Sequence, residues 1–139
     1  MTNKITIGPP GSKLDWDNWG KPVTDAINEL FGSIDTWHSF PYANGWADNG
    51  GGFAAFKYRT VFNVVQLIGV AKSPNPFNSG IGTLPVGYRP LSTQPIWASV
   101  NTAGTDCLIT VATNGLLTTF GSTNINTGWF INASFSLDL

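Results

Sequence analysis

The spacing of hydrophobic residues changes once along the chain, near residue 52, from a helical period to a strand period. Upstream, Val23, Ala26, Ile27, Leu30, Phe31 and Ile34 recur at i, i+3, i+4 and i+7, the spacing of an amphipathic helix. Pro22 suits a first-turn position, Asp25 is read in the first turn where it complements the helix dipole, and Gly32 is the earliest stop. Continued backwards, Trp16, Trp19, Val23, Ala26 and Leu30 alternate by three and four, as a and d positions do. A helix of about 12 residues is not stable alone in water. It therefore packs on its own domain or bundles with copies of itself into a short stalk, and Val23, Ala26, Ile27, Leu30 and Phe31 are the oligomerisation candidates.

Downstream the period is two. Phe53 to Thr60 and Val61 to Ala71 read as two strands or one long bent one, and Ser73 to Ser79 as a loop. Further strands are expected over Gln94 to Val100, Leu108 to Ala112 and, after the tight turn Thr113-Asn114-Gly115, from Leu116 on. In the last strand Trp129, Ile131, Ala133, Phe135 and Leu137 point one way and Phe130, Asn132, Ser134, Ser136 and Asp138 the other. Trp129 is thereby a core residue, and Trp97, inside a strand, is read as core as well. About seven or eight strands with such turn spacing predict a mainly β chain, an antiparallel β-sandwich of jelly-roll-like form. Three segments follow: an arm over 1–20, the helix over 21–36 and a β-sandwich head over 37–139. In the arm, Ile5, Ile7, Trp16 and Trp19 are the docking candidates, because exposed indoles usually find a surface to cover them.

The most distinctive stretch is IGTLPVGYRP, Ile81 to Pro90. Pro85 fixes its own φ and biases Leu84 toward extended backbone, Gly87 permits a positive φ, and Pro90 holds Arg89 extended. It reads as a strand, a rigid turn and a second extended segment. Tyr88 and Arg89 could bind an acidic glycan, or Arg89 could clamp the turn by reaching backbone carbonyls.

Composition narrows the function. Charged residues make up 11% of the 139 residues and the net charge is −1, against roughly 25% charged in an average domain. So neutral a surface suits burial against copies of itself or a larger assembly. Seven basic and eight acidic residues with no basic run leave no electrostatic footprint for nucleic acid. Cys107 is the only cysteine, which excludes an intrachain disulfide and a thiolate metal cluster. The first residues hold no apolar run of a signal peptide, and no stretch approaches the roughly 18 apolar residues that insert in a membrane. The expectation is a protein made soluble in a cytoplasm.

Chemistry is sparse. His38 is the one histidine, with Ser33, Asp35 and Ser39 nearby but no nucleophile turn. Glu29 is the only glutamate, and Asp48 and Asp106 read as turn residues. No grouping has metal-ligand spacing, so neither enzyme activity nor a cofactor is expected. For binding, Tyr42, Asn44, Trp46 and Asp48 form the best local cluster, with Phe77 as a further loop aromatic. Rings of this kind stack on the C–H faces of sugars while amides and carboxylates bond their hydroxyls. The competing reading has Tyr42 and Trp46 packing the linker at an oligomer axis.

The order Trp37, PYANGW (41–46), KYR (57–59), VVQLIGVA (64–71), IGTLPVGYRP (81–90) and TVATNGLL (110–117) resembles the C-terminal β-sandwich domain of tailed-bacteriophage tail, fibre and minor structural proteins. The resemblance covers residues 37–139, and its most specific element is Leu84-Pro85 with Gly87-Tyr88-Arg89-Pro90. It implies a homotrimer within a virion assembled in the host cytoplasm, docked to other virion proteins by the N-terminal arm. Its implied role is host adhesion, with a cell-surface glycan as candidate partner, or decoration of a capsid or tail. The N-terminal segment is much shorter than that of a fibre, which points to a compact protein attached directly to the particle.

Overall fold

The computed structural model describes residues 20–101 and 105–139, and the chain divides into two units between Ile34 and Asp35. The predicted docking residues Ile5, Ile7, Trp16 and Trp19 lie outside the described residues, as does the side chain of Phe31. In the first unit, α1 runs Lys21–Gly32. Pro22 is its second residue, where a missing N–H goes unnoticed. The Thr24 hydroxyl donates to the Gly20 carbonyl (2.9 Å) and the Ser33 hydroxyl to that of Glu29 (3.0 Å), one at each end. Asp25 falls beyond the first turn, correcting the placement expected from sequence, because the helix already begins at Lys21. Val23, Ile27 and Leu30, with Ile34 just past the end, are between 36% and 58% exposed. The four-three spacing of Val23, Ile27 and Leu30 puts those three on one face, and Ala26 is exposed too.

The second unit is an antiparallel β-sandwich. Its strands are β1 His38–Ser39, β2 Ala47–Asp48, β3 Lys57–Val61, β4 Val64–Lys72, β5 Gly80–Thr83, β6 Gln94–Val100, β7 Thr105–Val111, β8 Leu116–Phe120 and β9 Gly128–Ser136. They run in the order β1-β3-β4-β9-β6-β7-β8-β5, with β2 also on β4. β4 and β9 pair along their whole length, Val64 with Ser136 through Lys72 with Gly128. β9 and β6 share only three positions, Trp129 to Ile131 with Val100 to Ala98. This short seam lets the strands on either side of it stack as two layers.

The opposite side is closed by residues 38–43. His38 and Ser39 pair with β3, then Tyr42 bridges to Gly82 of β5 and the Ala43 amide donates to Ile81 O (2.9 Å). Gly82 makes this approach possible, since a Cβ there would lie 2.3 Å from the Pro41 carbonyl oxygen. Residues 38–43 therefore tie the two outermost strands of the curled sheet together and cover part of their open edges.

Alternation explains the core. Val65, Leu67 and Ala71 of β4, Ile96, Ala98 and Val100 of β6, Cys107, Ile109 and Val111 of β7, and Trp129, Ile131 and Phe135 of β9 all turn inward and are buried. Trp97 corrects its expected place in the core. The inward positions of β6 are its neighbours Ile96 and Ala98, so the indole faces out and is 64% exposed. The turn between β3 and β4 also differs from expectation. It lies at Phe62-Asn63, with Phe62 at a φ of 54°, where the sequence offers neither glycine nor proline.

The two ends of the sandwich differ. Asp35, whose amide donates to Thr60 O (2.9 Å), enters at the end that carries Phe62, the 84–93 loop, Gly115 and Leu137. The 43–49, 73–79 and 121–127 loops lie at the other end.

Candidate functional site

Three sets of side chains are drawn together by this architecture. The first is at the entry end. Pro85 to Tyr88 form a tight turn, closed by the Tyr88 amide on Pro85 O (3.2 Å), with Gly87 at a φ of 98°. The Leu84 amide donates to Gly115 O (2.9 Å), and Arg89 Nε donates back to Leu84 O (2.8 Å). The turn thus aims Tyr88 at the start of the domain. Its hydroxyl donates to Asp35 Oδ2, which also lies 2.8 Å from His38 Nε2, and the hydroxyl is 3.1 Å from that nitrogen. Tyr58 packs edge-on against Tyr88 with ring centroids 4.8 Å apart.

Asp35 and His38 therefore do meet. Their third partner is a phenol donating to the same carboxylate oxygen, and neither Ser33 nor Ser39 bonds the imidazole. The hydrogen bond from Tyr88 holds the Asp35 carboxyl below its usual range, against the opposing effect of burial. The same bond, with burial behind it, pushes Tyr88 up to about 12. The favoured state is ionised Asp35 with protonated Tyr88. Asp35 contributes stability above its ordinary value of 3.8 that is lost as pH falls through its depressed folded value. Tyr88 contributes stability present below its ordinary 10.0 and lost as pH rises toward about 12. In thermal melts across pH, Tyr88→Phe is expected to cost about 1–2 kcal/mol at neutral pH and to shrink the loss between those two alkaline values. An unchanged alkaline slope would show that the bond is not formed in solution. Some slope remains, because burial and Asp48 push Tyr42 up as well.

The second set is the sugar-stacking cluster expected from sequence, and the structure uses most of it internally. Trp46 is 4% exposed, its ring centroid 5.6 Å from that of Trp129 and 6.2 Å from that of Phe77, and its Nε1 donates to Asn78 O (2.8 Å). Phe77 stacks on Trp129 at 6.4 Å and is partly buried. The Tyr42 hydroxyl donates to Asp48 Oδ1 (2.7 Å), which also accepts the Phe56 amide (3.0 Å). Asn44 Nδ2 donates to Gly80 O (3.0 Å), from a turn in which its φ is 54°. These residues sit at the end opposite Asp35, but Trp46 offers no face to a ligand. Its expected role as a glycan platform is corrected by burial, and Tyr42 and Asp48 hold one another.

The third set went unnoticed in the sequence and lies on the outer faces of the strands. Across β3, β4 and β9, Arg59 pairs with Gln66 and Gln66 with Ser134, while Lys57 pairs with Ile68 and Ile68 with Asn132. A groove of about 330 Å³ lies here, walled by Trp37 and floored by Gln66, Asn132 and Ser134. Arg59 braces it, its guanidinium carbon 4.4 Å from the Trp37 ring centroid and its Nε donating to Gln66 Oε1 (2.8 Å). A second, apolar hollow of similar size adjoins it, lined by Phe53, Val70 and Phe130 and sharing Ile68 and Asn132 with the first. On the other layer, Trp97 opposes Leu108 and Leu108 opposes Phe120, itself 53% exposed. This makes an outward apolar row across β6, β7 and β8. The signal for both faces was present in the polar phase of each strand, but it shows only once the register is known.

Among the described residues no group of three or more His, Cys, Asp or Glu side chains could hold a metal ion, and no helix is long and apolar enough to cross a membrane. No protein-family model matches the chain, and no curated protein matches it in sequence. Its fold is similar to that of the receptor binding protein (gp15) of Listeria phage PSA, with a TM-score of 0.55 and 13% identity over 88% of this chain and 81% of that one.

Proposed function

We propose that the protein is a tailed-phage virion component, a short receptor-binding protein that adheres to the host cell surface through a trimeric β-sandwich head anchored by its N-terminus. The observation that carries this reading is the shared fold, which spans most of both chains and belongs in the other case to a phage receptor binding protein. The sequence supports it independently through the Leu84 to Pro90 element and the low charge content. The exposed apolar face of α1 supplies a surface for self-association. The role is recognition and attachment, without catalysis: Asp35, His38 and Tyr88 tie the entry of the chain to the 84–89 turn.

A second reading is favoured by the Trp97, Leu108 and Phe120 row. Three apolar side chains opposed across neighbouring strands form the kind of patch that marks a protein contact, as needed by a decoration protein bound only to other capsid or tail subunits. Purified protein separates the two. The adhesin adsorbs to host cells and competes with phage adsorption. The decoration protein binds emptied particles and ignores cells, and that result would overturn the first reading.

A further inference from the structure

We propose that the groove across β3, β4 and β9 binds a neutral saccharide, with a sugar ring against Trp37 and an acyl substituent of that sugar in the adjoining apolar hollow. The proposal rests on the adhesion reading and names the chemistry of its contact.

Three observations carry it. The first is the polarity of the floor. Gln66 and Ser134 stand directly opposite one another on paired strands, and Asn132 lies two residues from Ser134 on the same face. Gln66 gives its oxygen to Arg59, leaving its amide N–H groups to donate, and the side chains of Asn132 and Ser134 make no hydrogen bond among the described residues. A mixed set of amide and hydroxyl groups suits a partner that both donates and accepts at closely spaced positions, as sugar hydroxyls do. The side chains that line both hollows are uncharged, and the cations beside them, Arg59 held on Gln66 and Trp37 and Lys57 opposite Ile68, disfavour a cationic ligand. The β4 amides are engaged in the sheet on both edges here, so recognition falls to side chains.

The second is the wall. Trp37 is 37% exposed and held by Arg59, so an aromatic surface is fixed beside the polar floor before any ligand arrives. Preorganisation of this kind lowers the entropic cost of binding. The third is the adjacency of the two hollows. Ile68 and Asn132 line both, and the apolar one has Phe53 and Phe130 packed edge-on at 5.3 Å. A ligand filling both is polar at one end and carries a small apolar group at the other, as an N-acetylated sugar does.

The test uses the full chain and two trisaccharides with the same backbone linkage, chitotriose bearing acetamido groups and cellotriose lacking them. Side-chain amide NMR signals report Gln66 and Asn132 directly, and calorimetry gives the affinities. Chitotriose is expected to shift both signals and to bind at least about fivefold more tightly than cellotriose. Trp37→Ala and Gln66→Ala are each expected to weaken it about tenfold. Thermal melts accompany both variants, and Gln66→Ala, which removes no aromatic packing, keeps the test valid if Trp37→Ala unfolds. If neither sugar moves the Gln66 and Asn132 signals, the site is wrong. Equal affinity for the two sugars removes the acyl pocket. Cell adsorption that survives in both variants would overturn the groove and leave adhesion standing. Sugar binding without cell adsorption would do the reverse.

Discussion

Gly69→Ala is expected to destabilise the β-sandwich by about 3 kcal/mol or more, a large part of the roughly 5–15 kcal/mol that holds a domain together. Gly69 lies mid-strand in β4, in unbroken register with Ile131 of β9. On the other edge of β4 the partner is interrupted: β3 ends its pairing at Ile68, β2 resumes at Ala71, and the intervening chain lifts away. It is held there by the Val70 amide on Ala54 O (2.9 Å) and the Asn49 amide on Val70 O (3.1 Å). Its backbone passes directly over Gly69, where an added Cβ would lie 2.3 Å from Ala55 O and 2.5 Å from Phe56 Cα. These are backbone atoms and cannot swing aside as a side chain would. The φ of 131° adds strain for any other residue. Gly121→Ala separates the two effects, because Gly121 has a φ of 87° but open space around it. Its cost is expected near 1 kcal/mol. Denaturant melts that place both variants within 1 kcal/mol of each other would refute the crossing.

The same excursion connects fold to site. By leaving the sheet it carries Phe53 onto the outer surface against Phe130, and so builds one wall of the apolar hollow. Gly69→Ala should therefore disturb ligand contacts in that hollow before it unfolds the protein completely.

What the sequence made legible was local. The alternation from Trp129 to Leu137 announced both faces of β9, Asn114-Gly115 announced the turn between β7 and β8, and Pro22 and Gly32 bracketed α1. Each signal depends on residues close in sequence. What stayed hidden depends on partners far apart. Phe53 and Phe56 looked like the start of a strand because aromatics favour sheets, but the 49–56 segment crosses over β4 instead. Trp97 looked like core because it is large and apolar, whereas the phase of β6 is set by Ile96 and Ala98. Trp46 resembled a binding-loop aromatic, and only the fold brings Trp129 and Phe77 to it. The Gln66, Asn132 and Ser134 floor comes from strands more than sixty residues apart, aligned by the β4–β9 register alone.

On the proposed trimeric reading, the double substitution Ile27→Asp/Leu30→Asp is expected to leave the protein monomeric at micromolar concentration where the native chain is a trimer, as read by light scattering. Val23, Ile27 and Leu30 form an exposed apolar face on a helix of 12 residues, too short to persist on propensity alone. Burying one such side chain contributes roughly 1.5–3 kcal/mol when complete, and less from a half-exposed start. In the proposed trimer this burial, summed over three copies, opposes the entropic cost of association. Carboxylates in that interface would have to be desolvated without partners, a cost of several kcal/mol each. Leu30→Ile, which keeps the apolar volume, should leave the assembly intact. The functional consequence is larger than any single contact, because linked heads bind a surface with an avidity about 10²–10⁴ above one head. The monomeric variant should keep the thermal midpoint of its β-sandwich, whose core lies in the other unit. It should keep its affinity for a soluble trisaccharide, yet lose about a hundredfold in adsorption to cells. A native chain that is monomeric at micromolar concentration would remove the stalk. A double variant that adsorbs as well as the native protein would show that each head acts alone.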